Sequence, residues 1–192
     1  MNITETRFQF RDGMDELRKV DYLIVHHTAS TRDMTASEIH AEHLNLGWLG
    51  IGYHFYIRKD GSIWRGRPEG GVGSHCEGYN SVSLGICLSG NFEIEEPTLE
   101  QLNSLKGLIA ELRKRYPKAT VHSHSDFNAT ACCGRNLRNR LKDLEKRESF
   151  VKVFANGGKI SLVFENGEKV SRLFFDEKEL LRNLQIGIKF EV

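Results

Sequence analysis

Apolar positions along the chain follow two periodicities, and the switches between them predict its elements. Residues 20–27, VDYLIVHH, form the β-branched and aromatic run of a buried strand. Thr35 and Glu38 have capping-box spacing ahead of a helix reaching Leu46, with Gly47 as its stop. Residues 52–57 and 62–65 read as strands joined at Asp60-Gly61. Alternation puts Tyr53, Phe55 and Ile57 on one face and His54 and Tyr56 on the other. Residues 82–88 form another apolar strand. Thr98 and Gln101 open a second helix to Tyr116, whose Leu102, Leu105, Leu108, Ile109 and Leu112 make a core-facing stripe. A short strand at 119–122 and a last helix marked by Leu137, Leu141 and Leu144 follow, the Arg and Lys around those leucines forming its exposed face. Residues 1–19 are polar and weakly patterned, a partly ordered lead-in.

From Phe150 the pattern changes. FVKVF, KISLVF and VSRLFF predict three strands separated by Asn156-Gly-Gly158 and Asn166-Gly167. Asp176 then caps a short helix to Leu184, and residues 185–192 read as a final strand. The division expected is therefore 1–148 and 149–192. The second part is small for independent stability, so docking on the first part or pairing with another copy is expected. It contains no histidine or cysteine.

The formal net charge of +1 gives no global field for nucleic acid or acidic lipid. No apolar run approaches the ~20 residues of a membrane span. The start, MNITETRFQFRDG, lacks the basic end and apolar core of a secretory signal, so a chain cytoplasmic as synthesised is expected. In a reducing compartment Cys76, Cys87, Cys132 and Cys133 would be thiols, and a cysteine cluster beside histidines favours metal over disulfide.

The candidate chemistry concentrates in 121–134, VHSHSDFNATACCG. Histidine and cysteine are side chains that zinc prefers, and a loop must carry Cys132 back to His124. A third ligand would come from His26-His27, at the end of a buried strand. On spacing alone two readings stay open: a metal site, or histidines alternating on a strand beside an ordinary buried thiol. His40 and His43 share a helix face and, lacking a third ligand nearby, read as a solvated face. His75, in the irregular loop 70–80, is either a substrate contact or solvated.

Taken together, YLIVHHTAS, GYHFYIRKDGSIWRGR, GSHCEGYNSVSLGICLSG and HSDFNATACCG resemble, in order, the motifs of zinc-dependent N-acetylmuramoyl-L-alanine amidases. That family includes phage lysozyme-type amidases and peptidoglycan recognition proteins, and the resemblance covers residues 20–144. It implies an α/β fold with a mixed central β-sheet flanked by helices, here followed by a small C-terminal β-rich α+β appendage whose expected role is wall targeting or dimerisation. It implies Zn2+ held by His26, His124 and Cys132, with Tyr53 and Thr130 assisting catalysis. It also implies a groove at 73–80, including His75 and Asn80, for the stem peptide and sugar of peptidoglycan, cut after release of the protein to the wall. Phage members usually carry lysine at the position of Thr130, and catalytic recognition proteins carry threonine. Proline commonly follows the ligand cysteine, where this chain has Cys133, a thiol able to compete for the metal. Three protein ligands leave a position for water, whose pKa at a catalytic zinc falls to about 7. Two other readings are a recognition module that binds peptidoglycan without cutting it, and a structural zinc domain with His122 or Cys133 closing a four-ligand shell.

Overall fold

The computed structural model describes residues 2–145 and, as backbone only, the strands 150–156, 159–164 and 169–173; for 143–145 the backbone alone is described. Two compact units result, Met1–Glu145 and Lys146–Val192.

The first unit is built on a six-stranded sheet. Its strands are β1 (Ile3–Thr4), β2 (Tyr22–His27), β3 (Phe55–Ile57), β4 (Ile63–Arg65), β5 (Ser83–Leu88) and β6 (Thr120–Ser123), in the order β1-β4-β3-β5-β2-β6. β3, β5, β2 and β6 run parallel, β4 is antiparallel to β3, and β1 runs parallel to β4. Three helices complete this unit: α1 (Ala36–Asn45), α2 (Leu99–Arg115) and α3 (Arg135–Glu145). Both expected capping boxes form, Thr35 with Glu38 and Thr98 with Gln101. Among the described residues no helix is long and apolar enough to cross a membrane.

Each face of the sheet has its own core. Leu23, Val25, Phe55, Ile57, Leu84, Ile86 and Leu88 meet Leu105, Leu108, Ile109 and Leu112 of α2 and Leu137 and Leu141 of α3. The α2 and α3 stripes are therefore core, as their spacing predicts. On the opposite face Tyr56 and Cys87 pack with Met34, Ile51 and the α1 residues Ala36 and Ile39. Tyr53 belongs to this second cluster and not with Phe55 and Ile57. The alternation read from sequence fails there because β3 begins only at Phe55, so a period of two does not extend back to Tyr53.

The lead-in is more ordered than its composition suggests. β1 extends the sheet edge, and Phe8 and Phe10 pack on the ring of His40, with centroids 4.4 and 5.2 Å away. The His40–His43 face is accordingly buried, contrary to the solvated face expected. Helical spacing put both rings on one face correctly; what covers that face lies outside the helix, Phe8 and Phe10 over His40 and Trp48 and Tyr53 beside His43.

These rings act as backbone staples. The Nδ1 atoms of His40 and His43 accept the amides of Ile51 and Gly52 at 3.1 and 2.9 Å. His54 Nδ1 accepts the Gly85 amide at 3.0 Å, and its Nε2 donates to the Gly71 carbonyl at 2.9 Å. His27 Nδ1 accepts the Phe92 amide at 3.2 Å. Arg67, only 1% exposed, adds bonds to the carbonyls of Ile51 and Val72 and to the Ser74 hydroxyl at 3.0, 2.6 and 3.1 Å. Together they fix the segments 50–54 and 71–75, which border the site described below.

In the second unit β7 (Phe150–Asn156), β8 (Lys159–Phe164) and β9 (Lys169–Leu173) form an antiparallel meander, the two hairpins expected. The helix expected at 176–184 and the strand at 185–192 lie outside the described residues.

Two predictions follow from the staples. Burial lowers His43 and His54 to about 4, whereas a free imidazole titrates near 6.5. The unfolded chain therefore binds the extra protons between those values. The stability from neutral rings is complete above pH 6.5 and is lost as pH falls toward 4, each ring contributing at most about 1.4 kcal/mol per pH unit. Thermal denaturation should show this slope, and His43→Asn, which keeps an acceptor for Gly52 without titrating, should flatten it. Arg67→Met should cost about 3 kcal/mol or more in urea denaturation, because several buried acceptors lose their donor at once.

Candidate active site

Parallel register delivers the first two candidate ligands. β2 pairs with β6 so that Ser123 lies opposite Val25. The next residue, His124, therefore leaves β6 beside His26, and the two rings stand 4.5 Å apart. His26 is on the α1 side of the sheet, paired in register with Cys87 of β5. A short 3-10 turn, His124–Asp126, then redirects the chain. The loop returns with Ser125 N–H donating to the Cys132 carbonyl at 2.7 Å. Cys132 Sγ accepts the His27 amide at 3.4 Å and lies 3.6 Å from His26 Nδ1.

One ligand atom each from His26, His124 and Cys132 comes within 4.8 Å of the others. Two imidazoles and one thiolate are a donor set that suits zinc, and three protein ligands leave a coordination position open. The alternatives for a closed shell are not in this cluster. Cys133 is fully buried in the α2–α3 core with its sulfur 3.4 Å from Ser123 Oγ. His122 Nε2 is 2.9 Å from Thr120 Oγ1.

The electrostatics suit neutral metal-ligand side chains. Burial, then the neighbouring rings of His75 and His124, holds His26 well below the ordinary imidazole range. Burial also lowers His124. Burial pushes the Cys132 thiol up to about 12, against the opposing His27 amide. Both rings are thus neutral, as ligands must be, and a bound cation would be needed to stabilise the thiolate.

Each ligand ring is held by its far nitrogen. His26 Nε2 lies 3.1 Å from His75 Nδ1. His75 Nε2 in turn lies 3.5 Å from Ser83 Oγ, which donates to the Tyr79 carbonyl at 2.7 Å. His75 is buried, so the solvated alternative does not hold. It rests directly on β5 because Gly85 has no side chain: a Cβ there would lie 2.6 Å from the His75 ring. His124 Nε2 is 3.0 Å from Asn128 Oδ1, which also receives the Cys76 thiol at 3.0 Å.

All seven sequence-derived site residues line one cleft of about 950 Å³: His26, Tyr53, His75, Asn80, His124, Thr130 and Cys132. The Tyr53 ring lies 5.1 Å from that of His26. Burial, with the sulfurs of Cys87 and Cys132 nearby, keeps its phenol well above 10, so it is a neutral O–H donor. Thr130 Oγ1 accepts the Cys132 amide at 3.2 Å, and its own hydroxyl hydrogen remains available as a donor. Asn80 Oδ1 is occupied by the amides of His75 and Cys76 at 2.8 and 2.9 Å, which leaves its NH2 group for a ligand. The cleft also includes Trp48, Cys76 and Asn128, which sequence reading did not single out. Asn128 had a faint signal, four residues past His124. Cys76 lies within the 73–80 stretch already read as a groove, whereas Trp48 had no signal, since only the fold brings it to the cleft.

Residues 16–135 match the N-acetylmuramoyl-L-alanine amidase family. The chain is 41% identical over 120 residues to an endolysin of Enterobacteria phage K11, covering 60% of this chain and 80% of that protein. The structure of the N-acetylmuramoyl-L-alanine amidase LysC from Clostridium intestinale URNW superposes with a TM-score of 0.71 at 38% identity, over 75% of this chain and 97% of that one. Peptidoglycan recognition protein-LE, solved with tracheal cytotoxin, a monomeric diaminopimelic acid-type peptidoglycan, matches with a TM-score of 0.68 at 29% identity, over 73% and 92%. Motif order, sheet topology and these likenesses agree: the chain belongs to the N-acetylmuramoyl-L-alanine amidase family.

Proposed function

We propose that this protein is a zinc-dependent endolysin that hydrolyses the amide bond between N-acetylmuramic acid and L-alanine in peptidoglycan. The observation carrying this reading is the gathering of His26, His124 and Cys132 ligand atoms within 4.8 Å, in a cleft that also contains Tyr53 and Thr130. Kinship with a phage endolysin and a clostridial amidase supports the bond and the substrate. The recognition protein bound to a peptidoglycan monomer supports the same ligand class for the cleft.

His26, His124 and Cys132 would hold the metal, which when bound supplies a Lewis acid and lowers the pKa of water toward neutrality. The remaining work falls to the chain's own side chains. Tyr53, neutral at physiological pH, donates its phenolic proton in a hydrogen bond to the scissile carbonyl oxygen as negative charge develops there. As a neutral phenol it serves as a donor. The Thr130 hydroxyl, held at the Cys132 amide, offers a second donor. The Asn80 amide and the half-exposed Trp48 at the mouth contact the stem peptide or sugar. His75, buried behind His26, orients that ligand and does not touch substrate.

The test begins with metal content and the release of L-alanine amino termini from intact peptidoglycan. About one zinc per chain is expected, with release abolished by a chelator and restored by zinc. Zinc uptake without release would leave a recognition module that binds peptidoglycan uncut. Tyr53→Phe should retain zinc and lose turnover by roughly 10²–10³-fold, the scale of one oxyanion donor. Undiminished turnover in that variant would remove Tyr53 from the mechanism.

A further inference from the structure

The two histidines of the cluster are not equally constrained. His26 sits within β2 at 1% exposure, so strand pairing and packing fix its ring. His124 is more open and begins a 3-10 turn, outside any strand. Its backbone leaves the ring free to rotate, and either nitrogen could carry the proton. A metal ligand needs one nitrogen deprotonated and aimed inward, and the partner of the other nitrogen decides which.

That partner is Asn128 Oδ1, 3.0 Å from His124 Nε2. A carbonyl oxygen only accepts, so it places the proton on Nε2 and leaves the Nδ1 lone pair for a cation. An asparagine amide can flip, however, and its NH2 group in the same place would select the opposite tautomer. Two contacts oppose the flip. The Cys76 thiol, 1% exposed, donates to the same Oδ1 at 3.0 Å, and Asn128 Nδ2 donates to the Glu77 carbonyl at 3.4 Å. Turned over, the amide would set its N–H groups against one donor and its oxygen against a carbonyl.

We propose that Asn128 is a positioning residue that makes His124 an Nδ1 ligand, and that Cys76 locks the Asn128 amide in the orientation this requires. The proposal rests on the metal reading above and assigns Cys76 a task apart from ligation, since its sulfur is not in the ligand cluster.

The experiment combines zinc affinity, read by competition with a chromophoric chelator, with the His124 tautomer, read from long-range 1H–15N spectra of the metal-free chain. In the unaltered protein His124 should carry its proton on Nε2. Asn128→Ala should mix the tautomers and weaken zinc about 10–100-fold, the usual cost of losing such a partner. Asn128→Asp, whose carboxylate accepts the same bond, should restore both. Cys76→Ala should produce a smaller loss that Cys76→Ser recovers. Zinc affinity within twofold and an unchanged tautomer in Asn128→Ala would overturn the proposal while leaving the metal site intact. An equal loss in Asn128→Asp would also overturn it, as the mark of a merely structural residue. Failure of the unaltered chain to take up zinc would instead overturn the metal reading itself, and the ligand role of His124 with it.

Discussion

A buried imidazole is neutral, and a neutral imidazole has one donor and one acceptor nitrogen. Much of this fold depends on how that limited capacity is allotted. His27, His40, His43 and His54 each give their acceptor to a backbone amide. Three of those amides, on Ile51, Gly52 and Phe92, belong to no strand or helix and the fourth, on Gly85, lies in β5; an unpaired buried donor at any of them would cost about 1–3 kcal/mol. Because their acceptors are filled, these rings cannot ligate a cation without releasing the loops they hold. His26 and His124 differ, each with its Nε2 engaged by a side chain, and His26 Nδ1 lies 3.6 Å from Cys132 Sγ.

The allotment works because the sheet supplies a rigid frame. Parallel pairing of β2 with both β5 and β6 aligns the ends of adjacent strands, and chemistry in such sheets gathers at their carboxyl ends. His26 closes one strand, His124 follows another, and Cys132 returns on a loop tied to β6 through Ser123 and Ser125. On the same side of β5, Ser83, Gly85 and Cys87 provide a hydroxyl, a gap and a small sulfur side chain. These are the small groups against which His75 and Tyr53 can lie.

Cys133 shows how a departure from the family pattern is absorbed. Next to a ligand sulfur, a second thiol reads as a competitor for the metal. The chain turns it away into the core with the α2 and α3 leucines, where its sulfur lies 3.4 Å from Ser123 Oγ. Burial pushes its thiol up to about 11, so in that position it behaves as a small apolar residue.

The sequence by itself determined the elements, since capping boxes, the α2 stripe and hairpin turns are local and their periods survive in a linear string. It also picked out seven residues that line the cleft, through four ordered motifs whose resemblance to the amidases supplied what spacing alone left open. It misjudged His40 because Phe8 and Phe10, which pack on its ring, lie about thirty positions earlier in an unpatterned stretch, and His43 because Trp48 and Tyr53, which meet its ring, lie beyond the end of its helix. It placed Tyr53 on the wrong face because alternation says nothing of where a strand begins. Only the tertiary structure decided which of the eight histidines accept backbone amides. The physical reason is that residue type fixes a ring's donor and acceptor capacity, whereas the partner that occupies each nitrogen arrives from a distant part of the chain.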